Sequence, residues 1–443
     1  MTPSTAPLDP VLAVADRALA LELGGDARRA LRVVLPLLES YPGSAHALHV
    51  TGRALVAMGL AEPARKAFEL AAARALDAGN LPLSILACRE IERAGGTAAE
   101  RLDELGEIFA KGSRRLAERP LPPSLGGPTA EPAPLGPAVG DAAVLARLES
   151  ALAEAERFPR PSPARVAPHV LFSSLTAPGL RSLMRTFEVV AVAVGSVLIE
   201  EGTQGSHAYV IARGELEVRK ATSRDESFSL ARLGSGAVFG EMALLSRAPR
   251  AASVVASRPT LVLGTSRAAL NDIAAREPEV GEVFAEFCRK RMMENLFRTS
   301  SILGAVEPAD RTALLQRFVM RSFEPGDRVI VQGAESEGLY LVASGQLEVV
   351  HRDASEDKTI IVQLGPGEVV GEVALVLRRP ANADVVARHP TLTLHLPRDR
   401  FLEAVKAHPE VLAELYELAV KRDEETRTIV AQEATEVDDS VLL

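Results

Sequence analysis

The segment Phe239 to Ser253, FGEMALLSRAPRAAS, carries the residues best suited to chemistry. Gly240 lets the backbone approach a ligand closely, and Glu241 to Ser246 has the length of a single helical turn. Such a turn presents unpaired N–H groups to an anion. Pro249 fixes the approach of Arg250, whose planar guanidinium suits the paired oxygens of a phosphate. A carboxylate and an arginine on either side of a glycine-led turn can address a hydroxyl and a phosphate on one small ligand. For an isolated Glu and Arg, a surface ion pair is the ordinary alternative. The surrounding pattern favours the ligand.

The elements that must position this segment are strands. After Pro168, short β-rich runs at Phe187 to Val194, Ala208 to Ala212 and Glu215 to Arg219 are punctuated by glycines. These runs recur at a constant offset of 131 residues, which places Gly195 on Gly326, Phe187 on Phe318, Tyr209 on Tyr340 and Gly240 on Gly371. No gap is needed from Leu171 on Ile302 to Val280 on Val411. Two equivalent domains are therefore expected, at residues 168–299 and 300–430. Each closes with a helix: Val280, Val283, Phe284, Phe287 and Cys288 form one apolar stripe, and Leu412, Leu415, Tyr416 and Ala419 form another. Pro278 and Pro409 sit at the starts, where a missing N–H costs nothing. Residues 431–443, with Glu433, Glu436, Asp438 and Asp439, read as a frayed, solvated acidic tail.

Ahead of the strands, residues 9–115 read as helices, with Leu31, Val34, Leu35 and Leu38 on one face. Gly24 to Leu31 and Gly59 to Phe68 are similar in pattern about 36 residues apart, close to the tetratricopeptide period of roughly 34. Two such units or an irregular helical bundle both fit. Residues 116–167 are rich in Pro, Gly and Ala, as in Pro120 to Pro123 and Pro128 to Pro137, which favours an extended, semi-rigid linker. Within it, Leu145, Leu148 and Leu152 define one short amphipathic helix that can dock on a neighbour.

FGEMALLSRAPRAAS resembles the phosphate-binding cassette of the cyclic nucleotide-binding domain family, in particular that of cAMP-dependent protein kinase regulatory subunits. The resemblance runs over both copies, about residues 168 to 430. It implies a multidomain α+β chain, with helices followed by two tandem eight-stranded β jelly-roll barrels and their flanking helices. It further implies that Glu241 binds a ribose hydroxyl and Arg250 the cyclic phosphate, with Gly240, Met242, Ala243, Ala251, Ala252 and Ser253 completing the contact set. A hydroxyl residue commonly follows the arginine in cGMP-selective members. Ala251 stands here, which points to cAMP rather than cGMP.

Carried across the offset, Glu241 falls on Glu372, Gly240 on Gly371 and Pro249 on Pro380, but Arg250 falls on Ala381. The second cassette is expected to be degenerate. Arg378 and Arg379 align with Arg247 and Ala248, on the far side of the proline, and Asp384 aligns with Ser253 and is expected to add a negative charge near the phosphate position. Met292, Met293, Leu296 and Phe297 are candidate lid residues over the base, with packing against the second barrel as the alternative. Arg114 to Glu118, RRLAE, resembles the Arg-Arg-x-Ala inhibitory segment of kinase regulatory subunits, although Glu118 replaces the apolar residue expected there. Two cations completing a helix C-terminus is the favoured alternative.

Composition bounds the rest. Hydrophobic residues make up 47% and charged residues 25% of 443 residues, the balance of a folded globular chain of about three domains. With 50 Lys and Arg against 59 Asp and Glu, a net charge of -9 gives no attraction for nucleic acid. About a dozen residues follow the last helix read here, so a helix-turn-helix is not expected there. Cys88 and Cys288 are too far apart for a disulfide framework or zinc site, and a reducing, cytoplasmic setting is expected. No signal-peptide core precedes Leu23, and Val189 to Ile199 is too short to span a membrane. His46 and His49 share a helix face without a third ligand, so no metal is expected. Gly234, Gly236 and Gly240 lie between strands and read as turns rather than a dinucleotide fingerprint. No common hydrolase, protease or P-loop signature occurs. The reading is a non-enzymatic cyclic nucleotide sensor that signals through the helix from Val280 to Phe297 and meets an unknown protein partner through the N-terminal helices. The rival is an interaction scaffold whose barrels are purely structural.

Overall fold

The computed structural model describes residues 9–117, 130–160, 165–221, 227–245, 247–352 and 358–441. Glu118, Pro120 to Pro123, Pro128 and Ser246 lie outside the described residues. The chain forms two compact units, residues 1–201, 207–241 and 252–285 in one, and residues 202–206, 242–251 and 286–443 in the other.

The first unit opens with six helices: α1 (Pro10–Leu23), α2 (Ala27–Ser40), α3 (Ala45–Ala57), α4 (Ala61–Asp77), α5 (Leu81–Arg93) and α6 (Ala99–Phe109). Four of them start where a side chain can accept an orphan N–H: Asp9 from Val11, Asp26 from Arg29, Ser44 from Ala47 and Asn80 from Leu83. Within the hairpins α1–α2, α3–α4 and α5–α6, the turns place Gly25, Gly59 and Gly95 at φ of 87°, 79° and 79°, a conformation that favours glycine. Gly79 makes the same turn between α4 and α5 at φ 69°, so the glycine turn occurs four times in this array, where the sequence pattern suggested two. The buried faces, including Leu31, Val34, Leu35 and Leu38, are almost fully excluded from water.

The expected linker is anchored over much of its described length. Its helix, α7 (Asp141–Arg157), is longer than the leucine spacing suggested and packs on α2 and α4. Arg74 of α4, only 4% exposed, donates to the carbonyls of Ala155, Phe158 and Pro159 at 2.6, 2.7 and 2.8 Å. One buried guanidinium therefore satisfies the carbonyls at the end of α7. Arg160 forks onto Asp77 and Arg147 onto Glu39. These contacts are made across more than 80 residues of sequence and so leave no local periodicity to read.

After α8 (Ala177–Thr186) come β1 (Glu188–Val192), β2 (Val197–Ile199), β3 (His207–Arg213), β4 (Leu216–Ala221), β5 (Ser227–Leu233), β6 (Val238–Phe239), the short α9 (Met242–Leu245), β7 (Ser253–Ala256) and β8 (Thr260–Ser266). The strands form two antiparallel four-stranded sheets, ordered β1-β8-β3-β6 and β2-β7-β4-β5, around Val192, Ile211, Leu216, Phe239 and Val262. Helices α10 (Arg267–Arg276) and α11 (Pro278–Thr299) follow.

The second copy repeats this plan. After α12 (Ser301–Ala305) and α13 (Arg311–Leu315) come β9 (Val319–Phe323), β10 (Arg328–Ile330), β11 (Gly338–Ser344), β12 (Leu347–Arg352), β13 (Lys358–Leu364), β14 (Val369–Val370), α14 (Glu372–Val376), β15 (Asp384–Ala387) and β16 (Thr391–Pro397). Each strand begins 131 residues after its counterpart, and the sheets are ordered β10-β15-β12-β13 and β14-β11-β16-β9. Helices α15 (Arg398–Ala407) and α16 (Pro409–Val441) close the chain. The tail expected to fray from residue 431 instead continues the helical backbone of α16 to Val441, because nothing after Pro409 breaks the helix.

In the first unit, the helical array and the barrel share buried polar groups. α5 packs on β1, β3 and β8. Arg213, 1% exposed at the end of β3, donates to Asp16 of α1 at 3.0 Å and to the His46 carbonyl of α3 at 3.4 Å. Arg258 donates to the other Asp16 oxygen at 2.7 Å. Across the offset, Arg213 and Arg258 become Ser344 and His389, so the second barrel lacks both cations.

Candidate functional site

Each cassette begins on a two-residue strand whose end turns through a glycine. Gly240 has φ 72° and Gly371 φ 90°, and the glutamate that follows is buried in both copies, Glu241 at 4% and Glu372 at 2% exposure. Ala243 is buried at 4%, and Met242 of α9 packs against a cluster that includes Met292, Leu296 and Leu303. The short helices α9 and α14 stand where the sequence places a single turn, α14 directly after Gly371 and α9 one residue beyond Gly240.

Arg250 is set by its backbone. Its N–H donates to the Thr203 carbonyl at 2.8 Å, and its carbonyl accepts the Gly202 N–H at 2.9 Å. Its guanidinium lies directly over Gly205: a β-carbon there would be 2.1 Å from Nε and 2.3 Å from Cζ. Gly205 was not among the sequence-predicted residues. Its signal was nevertheless present, because the offset places Ser336 on it and Ala381 on Arg250, so the two positions change together. The second copy keeps the same backbone clamp, with Ala381 N–H to the Ala334 carbonyl at 2.9 Å and Gly333 N–H to the Ala381 carbonyl at 2.8 Å. Ala381 therefore occupies the place of Arg250 without its cation. Ser336, 7% exposed, donates its hydroxyl to the Gly338 carbonyl at 3.0 Å.

Ala251 is exposed and Ala252 half-buried. The Ser253 hydroxyl accepts the Glu201 N–H at 2.9 Å, which makes it part of the barrel's own bonding. Its counterpart corrects an expectation. Asp384 does not supply a stray charge beside a phosphate: Oδ1 accepts the Gln332 N–H at 2.8 Å and Oδ2 accepts from Arg352 at 2.6 Å. Burial raises its pKa, but the Gln332 N–H, Arg352 and Arg328 outweigh this and hold the carboxyl below its ordinary range. Arg379 is likewise engaged, with Asp423 at 2.7 Å.

Of the two readings of Met292, Met293, Leu296 and Phe297, the structure displays the packing one. Met292 and Leu296 are each 1% exposed in an apolar core with Leu303, Leu339, Leu394 and Leu415, and Met293 and Phe297 pack against it. Packing around the second barrel claims all four residues. Arg114 and Arg115 lie beyond the end of α6 at Phe109, so they complete no helix terminus. The Arg115 carbonyl accepts the Val166 N–H at 2.7 Å, and Ala117 N–H donates to the Val166 carbonyl at 3.0 Å. The segment is paired into a β-bridge there.

His49 is fully buried on α3 beside Phe68, and burial, with Arg213 nearby, keeps its pKa well below the ordinary value. Among the described residues no group of three or more His, Cys, Asp or Glu could hold a metal ion, and no helix is long and apolar enough to cross a membrane. The glycine patterns at Gly234 and Gly365 stand in turns before β6 and β14 rather than opening a helix.

The family described as cyclic nucleotide-binding domain matches residues 189–277 and 320–408, spans that are again 131 residues apart. A cAMP-dependent protein kinase regulatory subunit of Yarrowia lipolytica is 28% identical over 236 residues, 53% of this chain. The chain covers 59% of that relative's length. Among solved structures, the regulatory domain of Toxoplasma gondii PKA co-crystallised with cAMP has 24% identity and a TM-score of 0.28, covering 56% of this chain and 91% of that one. The catabolite activator protein of Thermus thermophilus has 27% identity and a TM-score of 0.28, covering 30% of this chain and 63% of that one. The chain carries two tandem cyclic nucleotide-binding domains and is similar to cAMP-dependent protein kinase regulatory subunits.

Proposed function

We propose that this protein is a non-enzymatic cAMP sensor whose first barrel binds the ligand, with Glu241 taking a ribose hydroxyl and Arg250 the cyclic phosphate. The observation that carries the reading is the clamp on Arg250: two backbone bonds fix its start, and Gly205 leaves room for its guanidinium. An arginine held in this way loses little freedom on meeting an anion. The Ala251 that follows favours cAMP over cGMP. Helix α11 carries the signal. It begins with Val280 and Phe284 in the first unit and supplies Met292 and Leu296 to the core of the second, so a ligand that prefers one arrangement of α11 biases both. The protein partner remains a proposal, and it would use helical faces other than those committed to α7 and the barrel.

Calorimetry with cAMP and cGMP tests this reading. One cAMP site per chain is expected, weakened by about 2 to 5 kcal/mol in Arg250→Ala, where a desolvated phosphate loses its cation. Glu241→Ala is expected to cost about 1 to 3 kcal/mol, the loss of a hydrogen bond to a neutral hydroxyl. Equal affinity in wild type and Arg250→Ala places the ligand elsewhere. No heat at millimolar cyclic nucleotide favours the scaffold reading.

A further inference from the structure

His46 and His49 stand on α3, where the helical array meets the first barrel. The His46 carbonyl accepts from Arg213 of β3 at 3.4 Å, and His49, at 0% exposure, sets its ring 5.6 Å from that of Phe68 on α4. Among the described residues, Nδ1 of His46 and both ring nitrogens of His49 are shut off from water and meet no hydrogen-bond partner. A neutral imidazole tolerates this. An imidazolium does not, because its charge and its second N–H both need a partner.

The charges around the two rings supply no such partner. Arg213 of β3 and Arg258 of the turn between β7 and β8 oppose a charge on His46, and Arg213 and Arg53 of α3 oppose one on His49. Among the described residues no charge of α2 or α4, the other helices packed most closely on α3, acts on either ring. The carboxylates of the seam are turned to the arginines. Asp16 of α1 accepts from Arg213 at 3.0 Å and from Arg258 at 2.7 Å. Arg53 donates to Glu22 of α1 at 3.0 and 3.1 Å and to Glu90 of α5 at 2.6 Å, and exposed Arg93 lies 3.7 Å from Glu90. A proton on either histidine therefore adds a buried charge without a counter-ion, and the two protonated rings would repel each other. Burial first, and Arg213 after it, keep both rings neutral, His46 down to about 3.

We propose that this seam is an acid-released joint: protonation of His46 and His49 opens the contact of α3 with β3 and so loosens the helical array from the first barrel. Once water reaches the rings they titrate near 6.5, and while buried they titrate lower, so the closed seam binds fewer protons than the open one. Closure is fully favoured above pH 6.5 and weakens as the pH falls, levelling off for His46 near 3. Each unit below 6.5 favours opening about tenfold per histidine, or about a hundredfold for the pair. The device belongs to the first barrel, since Ser344 and His389 stand in the second where Arg213 and Arg258 stand here. It does not depend on the cAMP reading.

The test is amide hydrogen exchange read by mass spectrometry on the full chain between pH 7 and pH 5, with the intrinsic exchange rate corrected at each pH. Peptides from α3 and β3 should lose protection together, by up to about a hundredfold per unit below 6.5. Those from β11 and β16 of the second barrel should not follow. His46→Gln with His49→Leu removes both protonation sites and should hold the protection of α3 and β3 level over the same range. His46→Gln alone should reduce the dependence to about tenfold per unit, which keeps the test open if the double variant does not fold. A cooperative thermal melt at pH 7 shows which variants are folded, and His169→Gln, outside the seam, should leave the acid response in place. An acid response unchanged in a folded His46→Gln or double variant overturns the proposal. So does protection at α3 and β3 that stays constant from pH 7 to 5, or that is lost equally over both barrels.

Discussion

A β-carbon on Gly205 would lie 2.1 Å from Nε of Arg250, so the glycine and the arginine form a matched pair. The obstructing atoms are the far end of a flexible side chain, so Gly205→Ala should fold normally and turn the guanidinium aside. Weaker cAMP binding by about 1 to 3 kcal/mol is expected, the scale of a misdirected charged hydrogen bond. Calorimetry beside a thermal melt checks this, and an unchanged Kd would show that Arg250 does not act from that position.

The same pair specifies how to convert the second barrel. Ala381→Arg alone places a guanidinium against Ser336, whereas Ala381→Arg with Ser336→Gly restores both members. The double variant should gain a second cAMP site per chain and the single variant should not. Asp384→Ser is no aid, because it leaves Arg352 and the Gln332 N–H without the carboxylate they share. Stoichiometry by calorimetry decides between these outcomes.

Asp16 is the shared acceptor of Arg213 and Arg258. Asp16→Ala strands Arg213 at 1% exposure, a loss of about 3 to 5 kcal/mol for a broken buried pair. Chemical denaturation should show the loss, and Asp16→Ala combined with Arg213→Met should recover much of it. A destabilisation within about 0.5 kcal/mol, the scale of ordinary surface changes, would mean that the fork contributes little.

His169 stacks on Phe172 with ring centroids 4.2 Å apart, and its Nε2 lies 3.1 Å from the Gly236 carbonyl. Nδ1 accepts the Leu171 and Phe172 N–H groups, each at 3.3 Å, so the neutral ring with its proton on Nε2 satisfies both sides. Burial lowers its pKa from 6.5 to about 4 against the smaller opposing effect of the Gly236 carbonyl. Between those values the unfolded chain binds a proton that the folded chain does not. Stability from this group is therefore complete above pH 6.5, falls as the pH drops, and levels off below about 4. The total is at most about 3 kcal/mol. His169→Gln should flatten this slope in denaturation measured from pH 7 to 4, and an unaltered slope would assign it to other buried histidines such as His49.

The sequence by itself determined the two barrels, because a constant offset carries every strand, glycine turn and cassette glutamate from one copy to the other. Alternation of side chains along strands and glycine at turns are local properties, and they are legible wherever they repeat. It also determined the contrast between Arg250 and Ala381, since the positions align without a gap. Tertiary structure decided the rest. The Asp16 fork, the capping of α7 by Arg74 and the hold of Arg422 on Glu372 each join residues 50 or more apart in sequence. Only the signs of charge are visible beforehand, and an exposed arginine reads the same as a buried one. Asp384 shows the cost of reading charge without direction: the offset located it correctly, but only the fold turns its carboxylate toward Arg352. Gly205 lies between these cases. Its change to Ser336 was visible in the sequence, but its meaning depends on a guanidinium 45 residues further along the chain, brought over it by two backbone hydrogen bonds.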